Sequence, residues 1–414
     1  MKKSARNKIK KPNGFLYFIV YLLIYPVLKI CFRLKVDRSG YSPPQGPFIV
    51  LSNHQSFMDF LLAMLAVYPR RLNAVAAQKF FFYWPLDTLL PIMGCIPKNL
   101  FDPDLRSVMG IMAVIRQGGR LLLFPEGRCS TDGAYMGIHK ATGKLIKKLQ
   151  APVISCYIEG AYVCMPFWRK GIRLGRERVT LANLFTAKDT QTLTVDEINR
   201  RIDDRLSGVD TTASLKTFCV LKATRLAVGL ENILYYCPNC QREFTLTTAG
   251  NTIFCTACGN TAIMDRGAKL TPAQGSAVPE TVHKWYKEQV AYEARSFCED
   301  MTPIKTQVIV RMPQKAGKGQ KSCGMGELCL NSKGWHYNGK LYDETVNLFF
   351  PIETVPAIPF DPNDNFQIYA KGSFYMFTPQ ENPRACVKYA ILGECAYWRF
   401  ASDILMTKSY DSGF

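Results

Sequence analysis

Short apolar runs that end in polar loops dominate the first half of the chain. The runs at 47–52, 120–124 and 152–158 are too short for helices and apolar enough for buried strands. Polar turns and helical spacing follow them, and an amphipathic helical pattern at 195–202 ends the region. This alternation predicts an open α/β domain over residues 39–212.

The pattern changes in character beyond residue 212. Residues 213–270 are predicted to hold a connecting helix and a small ribbon. Residues 271–302 are predicted to hold a linker helix, because they combine helical spacing with an acidic residue near the start of the helix. Residues 303–414 instead show short alternating runs, which predict an antiparallel barrel or sandwich. Strands are expected at 306–310, 326–330, 335–337, 341–342, 374–377 and 387–389, with a hairpin turn at Asn338-Gly339.

Residues 1–38 form a separate segment that is first basic and then apolar. Six bases within residues 2–11 precede an apolar run at 15–28, which contains Pro26 and is followed by Lys29. A spanning helix needs about 20 apolar residues, so this run favours monotopic insertion with the bases among anionic headgroups. No small-residue cleavage site follows, which argues against a cleaved signal peptide. A buried core helix with a solvated tail is the alternative.

Composition and charge narrow the class of partner. The chain has 414 residues, 48% of them hydrophobic, which excludes a disordered tail and leaves room for about two to three domains. Its 52 Lys+Arg against 33 Asp+Glu leave a net charge of +19, so nucleic acid, anionic lipid or a phosphorylated substrate is expected. The 15 cysteines are odd in number and mostly scattered, which favours a reducing cytosol over a disulfide scaffold.

Candidate catalytic residues follow the predicted strands. The segment Asn53-His54-Gln55-Ser56-Phe57-Met58-Asp59 comes after the first run, and Pro125-Glu126-Gly127-Arg128 comes after the second. In an open α/β sheet the loops after the strands form the active-site crevice, so the two segments are expected to meet. Lys79 and Lys98 offer further bases between them.

The order of these segments resembles the glycerolipid acyltransferase superfamily, typified by lysophosphatidic acid acyltransferases. Residues 53–59 look like the family's first block, and residues 124–127 match its third block well. Residues 94–99 match the second block loosely, and residues 151–160 match the fourth. The resemblance covers roughly 40–200 and implies an α/β acyltransferase domain.

Two positions depart from the family's pattern. The third block usually continues Thr-Arg-Ser, where this chain has Arg128-Cys129-Ser130, and the second block often carries an arginine where Lys98 stands. Both departures leave open which acceptor the protein uses, but they do not bear on the type of reaction.

His54 and Asp59 have the chemistry that acyl transfer needs. An alcohol that attacks a thioester must lose its proton, and imidazole is suited to accept a proton near neutral pH. His54 is therefore the predicted general base. Asp59 is predicted to orient the ring and to stabilise the imidazolium, with His54 in the loop and Asp59 in the first helical turn.

Five further residues are predicted to bind substrate. Arg128, Lys98 and Lys79 are candidates for a phosphate group, Arg128 because its fork can hold two phosphate oxygens. The resemblance also implies that Glu126 and Gly127 shape the acceptor site, with Glu126 orienting a neighbouring arginine or a glycerol hydroxyl.

Four cysteines predict a structural zinc ribbon. Two Cys-x2-Cys knuckles, 14 residues apart, have the spacing of a four-thiolate Zn²⁺ site with no open position. The four predicted ligands are Cys237, Cys240, Cys255 and Cys258. Between 236 and 259 the charged residues are Arg242 and Glu243, which offset each other, so the ribbon argues against nucleic acid.

The last module is similar to PH or GRAM-like domains. The similarity rests on a first strand, a Gly-Trp-containing hairpin and a strand at Pro351-Ile352-Glu353. Such domains commonly meet lipid headgroups through a loop, and this chain has Lys315, Lys318 and Lys321 in that place. A solvated loop is the alternative.

Taken together, the sequence predicts a membrane-associated O-acyltransferase of phospholipid biosynthesis at the cytoplasmic face. The donor is expected to be acyl-CoA or acyl carrier protein, and the acceptor a lysophospholipid, with 1-acylglycerol-3-phosphate favoured. No metal is expected to take part in the transfer. A non-catalytic membrane adaptor is one alternative, and acylation of a different hydroxyl or amine, which Cys129 and Lys98 keep open, is another.

Overall fold

The chain forms three sheets within the part that the structure describes. This computed structural model describes residues 9–100, 104–207, 220–222, 224–298, 300–314, 319–370 and 373–411. A seven-stranded mixed sheet comes first, then a four-stranded ribbon sheet, then a seven-stranded antiparallel sheet. The predicted fold class, an α/β domain followed by a ribbon and an antiparallel β-rich domain, is confirmed.

The first sheet places several strand ends on one edge. Its strands are β1 (Lys35–Gly40), β2 (Phe48–Ser52), β3 (Asn73–Ala77), β4 (Ile96–Lys98), β5 (Arg120–Leu123), β6 (Val153–Glu159) and β7 (Arg178–Phe185). They are ordered β1-β7-β6-β2-β5-β3-β4. Strands β6, β2, β5, β3 and β4 are parallel, and β7 is antiparallel to β6. The carboxyl ends of β2 to β5 therefore lie along the same edge.

Helices cover both faces of this sheet. They are α1 (Gly14–Cys31), α2 (Asp59–Ala66), α3 (Leu86–Ile92), α4 (Leu105–Arg116), α5 (Ala141–Leu149), α6 (Ala161–Cys164), α7 (Ala187–Thr192) and α8 (Val195–Leu206). Alternate residues of β2 face opposite sides, as strand geometry requires. Phe48 and Val50 pack in a core with residues of α1 and α2, whereas Ile49 and Leu51 pack with residues of α4, α5 and α8.

The amino-terminal helix is part of this domain as well as a candidate anchor. Tyr17 is fully buried, and its hydroxyl accepts a hydrogen bond from the Leu72 amide at 3.0 Å. Pro26 lies inside α1 without ending it. Strand β1 pairs with β7, so the predicted boundary at residue 38 falls within the sheet. Among the described residues, α1 alone is long and apolar enough to cross a membrane.

The ribbon and the last module follow. The ribbon sheet contains β8 (Leu246–Ala249), β9 (Thr252–Cys255), β10 (Thr261–Met264) and β11 (Leu270–Pro272), and helix α9 (Val282–Cys298) comes after it. The final sheet contains β12 (Ile304–Pro313), β13 (Gln320–Asn331), β14 (Gly334–Leu341), β15 (Glu344–Pro351), β16 (Phe360–Asp361), β17 (Asn365–Ala370) and β18 (Ser373–Pro379). Helix α10 (Cys386–Asp411) ends the described chain.

Several local predictions for the last module are wrong. Residues 387–389 were expected as a strand and belong to α10. Ile352 and Glu353 were expected in a strand and form a 3-10 turn with Thr354, and Tyr342 lies in a turn just after β14 ends. Asn338-Gly339 lies in the middle of β14 rather than in a hairpin turn. Gly339 is needed there for close packing, because a Cβ at this position would lie 2.6 Å from the Cα of Gly326 on β13.

Some predicted features fall on residues that the structure leaves undescribed. Lys315 and Lys318 of the basic loop lie outside the described residues, as do residues 213–219 and 223 of the segment predicted to hold the connecting helix. Lys321 is described, and it is exposed at the start of β13. The PH or GRAM-like similarity of the module stays a prediction.

The ribbon, α9 and the last module share one hydrophobic core. Trp285 on α9 is fully buried and donates its indole N–H to the Tyr236 carbonyl at 2.9 Å. Trp335 of β14 lies in the same cluster, and Trp168 extends the cluster to the segment that follows α6. The three regions that the sequence separates are therefore packed together.

Candidate active site

His54 and Asp59 form a buried pair at the carboxyl end of β2. The strand ends at Ser52 and α2 begins at Asp59, so His54 lies in the connecting loop. His54 Nδ1 lies 3.0 Å from Asp59 Oδ2, which also accepts the Ser56 amide at 2.7 Å. A neutral His54 that donates its Nδ1–H to Asp59 keeps Nε2 as the basic nitrogen. The His54 side chain is 19% exposed and that of Asp59 is 0% exposed, so a substrate can reach only the histidine.

The loop after β5 wraps around His54. The Phe124 ring stacks on the imidazole with 4.3 Å between centroids. Glu126 Oε1 accepts the His54 amide at 2.7 Å, and Oε2 accepts the Met136 amide at 3.0 Å. The Ser130 amide donates to the His54 carbonyl at 2.8 Å. The two blocks that the sequence predicted to meet are thus joined through main-chain hydrogen bonds.

Glu126 has a different set of contacts from those expected. The sequence suggested that it orients an arginine or a glycerol hydroxyl, but both of its oxygens accept main-chain amides. Gly127 has a φ of 78°, the left-handed region that favours glycine, and its amide donates to the Phe124 carbonyl at 3.1 Å. Both residues therefore shape the loop that holds His54.

Asn53 connects this loop to the next strand of the sheet. Its buried side chain donates to the Ile158 carbonyl and accepts the Ile158 amide, each at 2.8 Å. A primary amide is the side chain that can pair with both groups of one residue. Asn53 thereby ties the end of β2 to the end of β6.

Two of the three predicted phosphate-binding bases are paired with carboxylates of the last module. Arg128 makes a bidentate ion pair with Glu394 of α10, with Nη2 and Oε2 separated by 3.0 Å. Lys79, in the 3-10 turn Gln78–Phe82 after β3, lies 2.7 Å from Asp361 of β16. Lys98 ends β4 on the same edge of the sheet.

Three buried acids lie close to one another in this region. Burial raises the pKa of Glu126 to about 8, although the amides of Met136 and His54 lower it in part. Burial also raises the pKa of Glu177 to about 8, and the charge of Asp59 adds to the rise. Burial raises the pKa of Asp59, but hydrogen bonds from His54 and the Ser56 amide oppose the rise. Asp59 is therefore the acid of the three with the most support for a negative charge.

The contacts of the candidate thiol Cys129 and of two bases in residues 169–178 are structural. Cys129 is buried, and burial raises its thiol pKa well above the ordinary value, so it is a poor nucleophile. The stretch 169–178 carries five bases in ten residues. Arg169 donates to the Arg225 carbonyl at 2.6 Å, and Arg173 donates to the Leu226 carbonyl while stacking over Trp168. Arg169 and Arg173 therefore hold the chain segment that leads into the ribbon.

The four predicted zinc ligands form one cluster. All four thiol sulfurs lie within 4.8 Å of one another. Cys237 and Cys258 sulfurs are 3.8 Å apart, and those of Cys240 and Cys255 are 3.7 Å apart. A tetrahedral site with Zn–S bonds of about 2.3 Å requires sulfurs about 3.8 Å apart. The donor set and the spacing therefore fit a four-thiolate zinc site.

Sequence reasoning missed the acidic partners of this site. Glu394 and Asp361 are more than 260 residues from the bases they contact, and no local pattern pairs them. Glu394 is nevertheless a lone acid in the apolar helical segment 390–398, which is a signal for a buried partner. No sequence pattern indicates that Glu177 is buried, because its neighbours in the sequence are bases, which are typical of an exposed segment.

Comparisons with known proteins match the region that carries this site. Residues 33–159 match the family model described as Acyltransferase. The chain is 29% identical over 136 residues to the 1-acyl-sn-glycerol-3-phosphate acyltransferase alpha of Mus musculus, covering 32% of this chain and 47% of that protein. It is 27% identical over 130 residues to the chloroplastic 1-acyl-sn-glycerol-3-phosphate acyltransferase BAT2 of Brassica napus, covering 30% of this chain and 37% of that protein.

A solved structure is also similar in part. The acyltransferase PlsC from Thermotoga maritima, described as a 1-acyl-sn-glycerophosphate acyltransferase, has a TM-score of 0.40 at 20% identity, covering 46% of this chain and 79% of that one. The chain spans about half the length of the curated relatives it matches. The match to the family model identifies residues 33–159 as an acyltransferase domain.

The buried acids predict a loss of stability at high pH. Glu177 binds a proton in the folded chain up to about pH 8, whereas an unfolded chain releases it near 4.5. The unfolding free energy should therefore fall as the pH rises between about 5 and 8, by up to about 1.4 kcal/mol per pH unit for this residue. Glu177→Gln should flatten that slope in urea unfolding measured across the range. The exposed Glu381→Gln should leave it unchanged, and parallel slopes for wild type and Glu177→Gln would contradict the assignment.

Proposed function

We propose that this chain, whose residues 33–159 form an acyltransferase domain, moves a fatty acyl group from an acyl thioester to the hydroxyl of a lysophospholipid. The single observation that carries the proposal is the hydrogen bond of 3.0 Å between partly exposed His54 and fully buried Asp59. The pair lies within the residues that match the acyltransferase family model.

The residues support a direct transfer. His54 Nε2 accepts the proton of the acceptor hydroxyl as its oxygen attacks the thioester carbonyl. The C–O bond forms, the C–S bond breaks, and the imidazolium returns the proton to the leaving thiolate. Asp59 stabilises the imidazolium through Nδ1, and the loop from Phe124 to Ser130 holds the ring in place.

The acceptor proposed is 1-acylglycerol-3-phosphate. Relatives of the matched region carry that substrate in their names, and the edge of the sheet that bears His54 also bears Lys79, Lys98 and Arg128. The donor is acyl-CoA or acyl carrier protein, both of which present the same thioester. The activity belongs to phospholipid biosynthesis.

Replacing His54 should abolish the transfer. His54→Ala should lower kcat at least about 100-fold, because general base catalysis contributes that much or more. Asp59→Asn should also lower kcat and should alter its pH profile, because the amide cannot stabilise an imidazolium. Transfer of labelled acyl groups from acyl-CoA and from acyl carrier protein to lysophosphatidate in micelles measures both effects.

The chain offers a matched control for this experiment. His283 on α9 makes a hydrogen bond of similar geometry to Asp132, with 2.8 Å between Nδ1 and Oδ2. His283→Ala should retain most of the activity, with folding checked by circular dichroism. Near-wild-type transfer by His54→Ala would remove the proposed mechanism, whereas absence of transfer by wild type with either donor would favour a non-catalytic membrane adaptor.

We also propose that the four cysteines hold one structural Zn²⁺. Cys237 and Cys255 are buried against the core that the ribbon shares with α9 and the last module. A metal that organises this cluster would hold the knuckles in their folded geometry. Its binding energy then contributes to the stability of the whole carboxyl-terminal half.

Zinc should be measurable and should stabilise the chain. Reduced protein should contain about one zinc per chain, and Cys258→Ser should lose most of it, because three thiolates leave the tetrahedral site incomplete. Chelation should lower the melting temperature of wild type. Cys329→Ser, which changes a half-buried cysteine of the last module, should leave the zinc content unchanged, and zinc-free wild type of full stability would contradict the proposal.

The exposed face of α1 is proposed to bind the membrane at its cytoplasmic side. Phe15, Leu23 and Ile30 are 77%, 61% and 77% exposed, while Tyr17 and Leu28 anchor the opposite face in the domain core. Such a helix can lie in the interface with its outer face among the lipids. The flanking bases add attraction to anionic headgroups.

Charging this face should release the chain from membranes. Leu23→Glu/Ile30→Glu should lower partitioning onto phosphatidylcholine–phosphatidylglycerol vesicles at least about tenfold, because each apolar side chain contributes about 1.5–3 kcal/mol when buried. Cosedimentation measures the effect. Tyr342→Glu changes an equally exposed aromatic residue of the last module and should have no effect, whereas unchanged partitioning of the double variant would assign the membrane contact to another surface.

A further inference from the structure

The last module places two carboxylates on bases of the candidate site. Glu394 of α10 holds the Arg128 guanidinium with both oxygens, and Asp361 of β16 holds the Lys79 ammonium at 2.7 Å. The Arg128 and Lys79 side chains are only 27% and 12% exposed. Two bases from separate strand ends are therefore occupied by acids from one module.

Apolar and main-chain contacts hold the module in this position. The Gly319 amide donates to the Phe82 carbonyl at 2.6 Å, beside Lys79. Phe360, next to Asp361, packs edge-on against Phe167 with 5.3 Å between ring centroids, and Phe167 lies 6.1 Å from Phe57 in the His54 loop. The carboxylates thus belong to a docked surface rather than to free side chains.

Glu394 is itself held in place at Arg128. The Ile358 amide donates to Glu394 Oε1 at 2.9 Å, so one oxygen receives both a main-chain and a guanidinium donor. A carboxylate that binds an arginine through two oxygens has the same geometry as two oxygens of a phosphate group. The negative charges of Glu394 and Asp361 also neutralise the attraction that the two bases would exert on an anionic headgroup.

We propose that Glu394 and Asp361 are internal competitors for the phosphate group of the acceptor. Glu394 occupies the donors of Arg128, and a phosphate monoester binds by displacing it. Lys79 is freed in the same way when Asp361 withdraws. The identity of the ligand rests on the proposed function, whereas the competition rests on the two ion pairs. The last module then lowers the affinity of the site for its own substrate until the phosphate displaces the carboxylates.

The test measures phosphate binding without catalysis. Full-length His54→Ala protein is titrated calorimetrically with lysophosphatidate in neutral detergent micelles, and separately with inorganic phosphate. Adding Glu394→Gln should tighten lysophosphatidate binding about tenfold, which corresponds to about 1.4 kcal/mol. Glutamine keeps an oxygen for the Ile358 amide, so the fold should survive, as circular dichroism melting will show. Asp361→Asn should act in the same direction.

Matched variants assign the effect to the ion pair. Glu327→Gln removes a partly exposed carboxylate of the same module, paired with Lys305 at 3.0 Å, and should leave binding unchanged. Arg128→Gln combined with Glu394→Gln should lose the gain, because the displaced donors are then missing.

Each outcome decides the proposal. Tighter binding of lysophosphatidate, with or without tighter binding of inorganic phosphate, supports competition at the acceptor position. Unchanged binding of both probes, or a gain for inorganic phosphate alone, overturns it. The proposed function is judged separately by acyl transfer with wild-type protein. If wild type transfers no acyl group but Glu394→Gln binds lysophosphatidate more tightly, the proposed reaction is wrong and the proposed competition stands.

Discussion

The fully buried carboxylate of Asp59 is the constraint on which the candidate site depends. A charged group without solvent must be compensated by hydrogen bonds or by an opposite charge. Oδ2 receives the His54 ring and the Ser56 amide, whereas Oδ1 has no hydrogen-bond partner among the described residues. The position of His54 is therefore required for the stability of Asp59 as well as useful for chemistry. Because burial favours the neutral forms of Glu126 and Glu177, these two residues do not add negative charge that would repel the Asp59 carboxylate.

The same requirement applies where the carboxyl-terminal half is packed against the catalytic domain. Arg128 and Lys79 are mostly buried, so each needs an acid nearby. Glu394 and Asp361 supply these acids from a module that also shares a hydrophobic core with the ribbon. The ribbon is joined to α10 by Lys388, which pairs with Glu243 at 2.6 Å. The catalytic site and the accessory domains thus depend on one another.

The sequence predicted features that local pattern and strand geometry determine. Apolar runs revealed β2, β5 and β6, and the parallel edge implied that His54 and Glu126 would meet. The cysteine spacing gave the thiol cluster for the same local reason. Asn338-Gly339 was wrongly predicted to be a turn, because a sequence does not distinguish a glycine that permits close strand packing from a turn glycine. The partner of Arg128 could not be chosen among 33 acids, because an ion pair across 266 residues leaves no periodic pattern.

The net charge of +19 gains a structural explanation from the contacts of individual arginines. Arg38 donates to the Ala66 carbonyl at 3.0 Å, Arg71 to the Pro12 carbonyl at 2.9 Å, and Arg384 to the Leu246 carbonyl at 3.0 Å. A guanidinium can satisfy main-chain carbonyls without any acid, so each such contact adds positive charge without a compensating negative one. Protonation of Glu126 and Glu177 increases the imbalance further. Part of the basic excess is therefore a consequence of how the chain satisfies its carbonyl groups. For that reason, an anionic partner has to be argued from the placement of particular bases, such as Arg128 in the loop that contacts His54, rather than from the total charge.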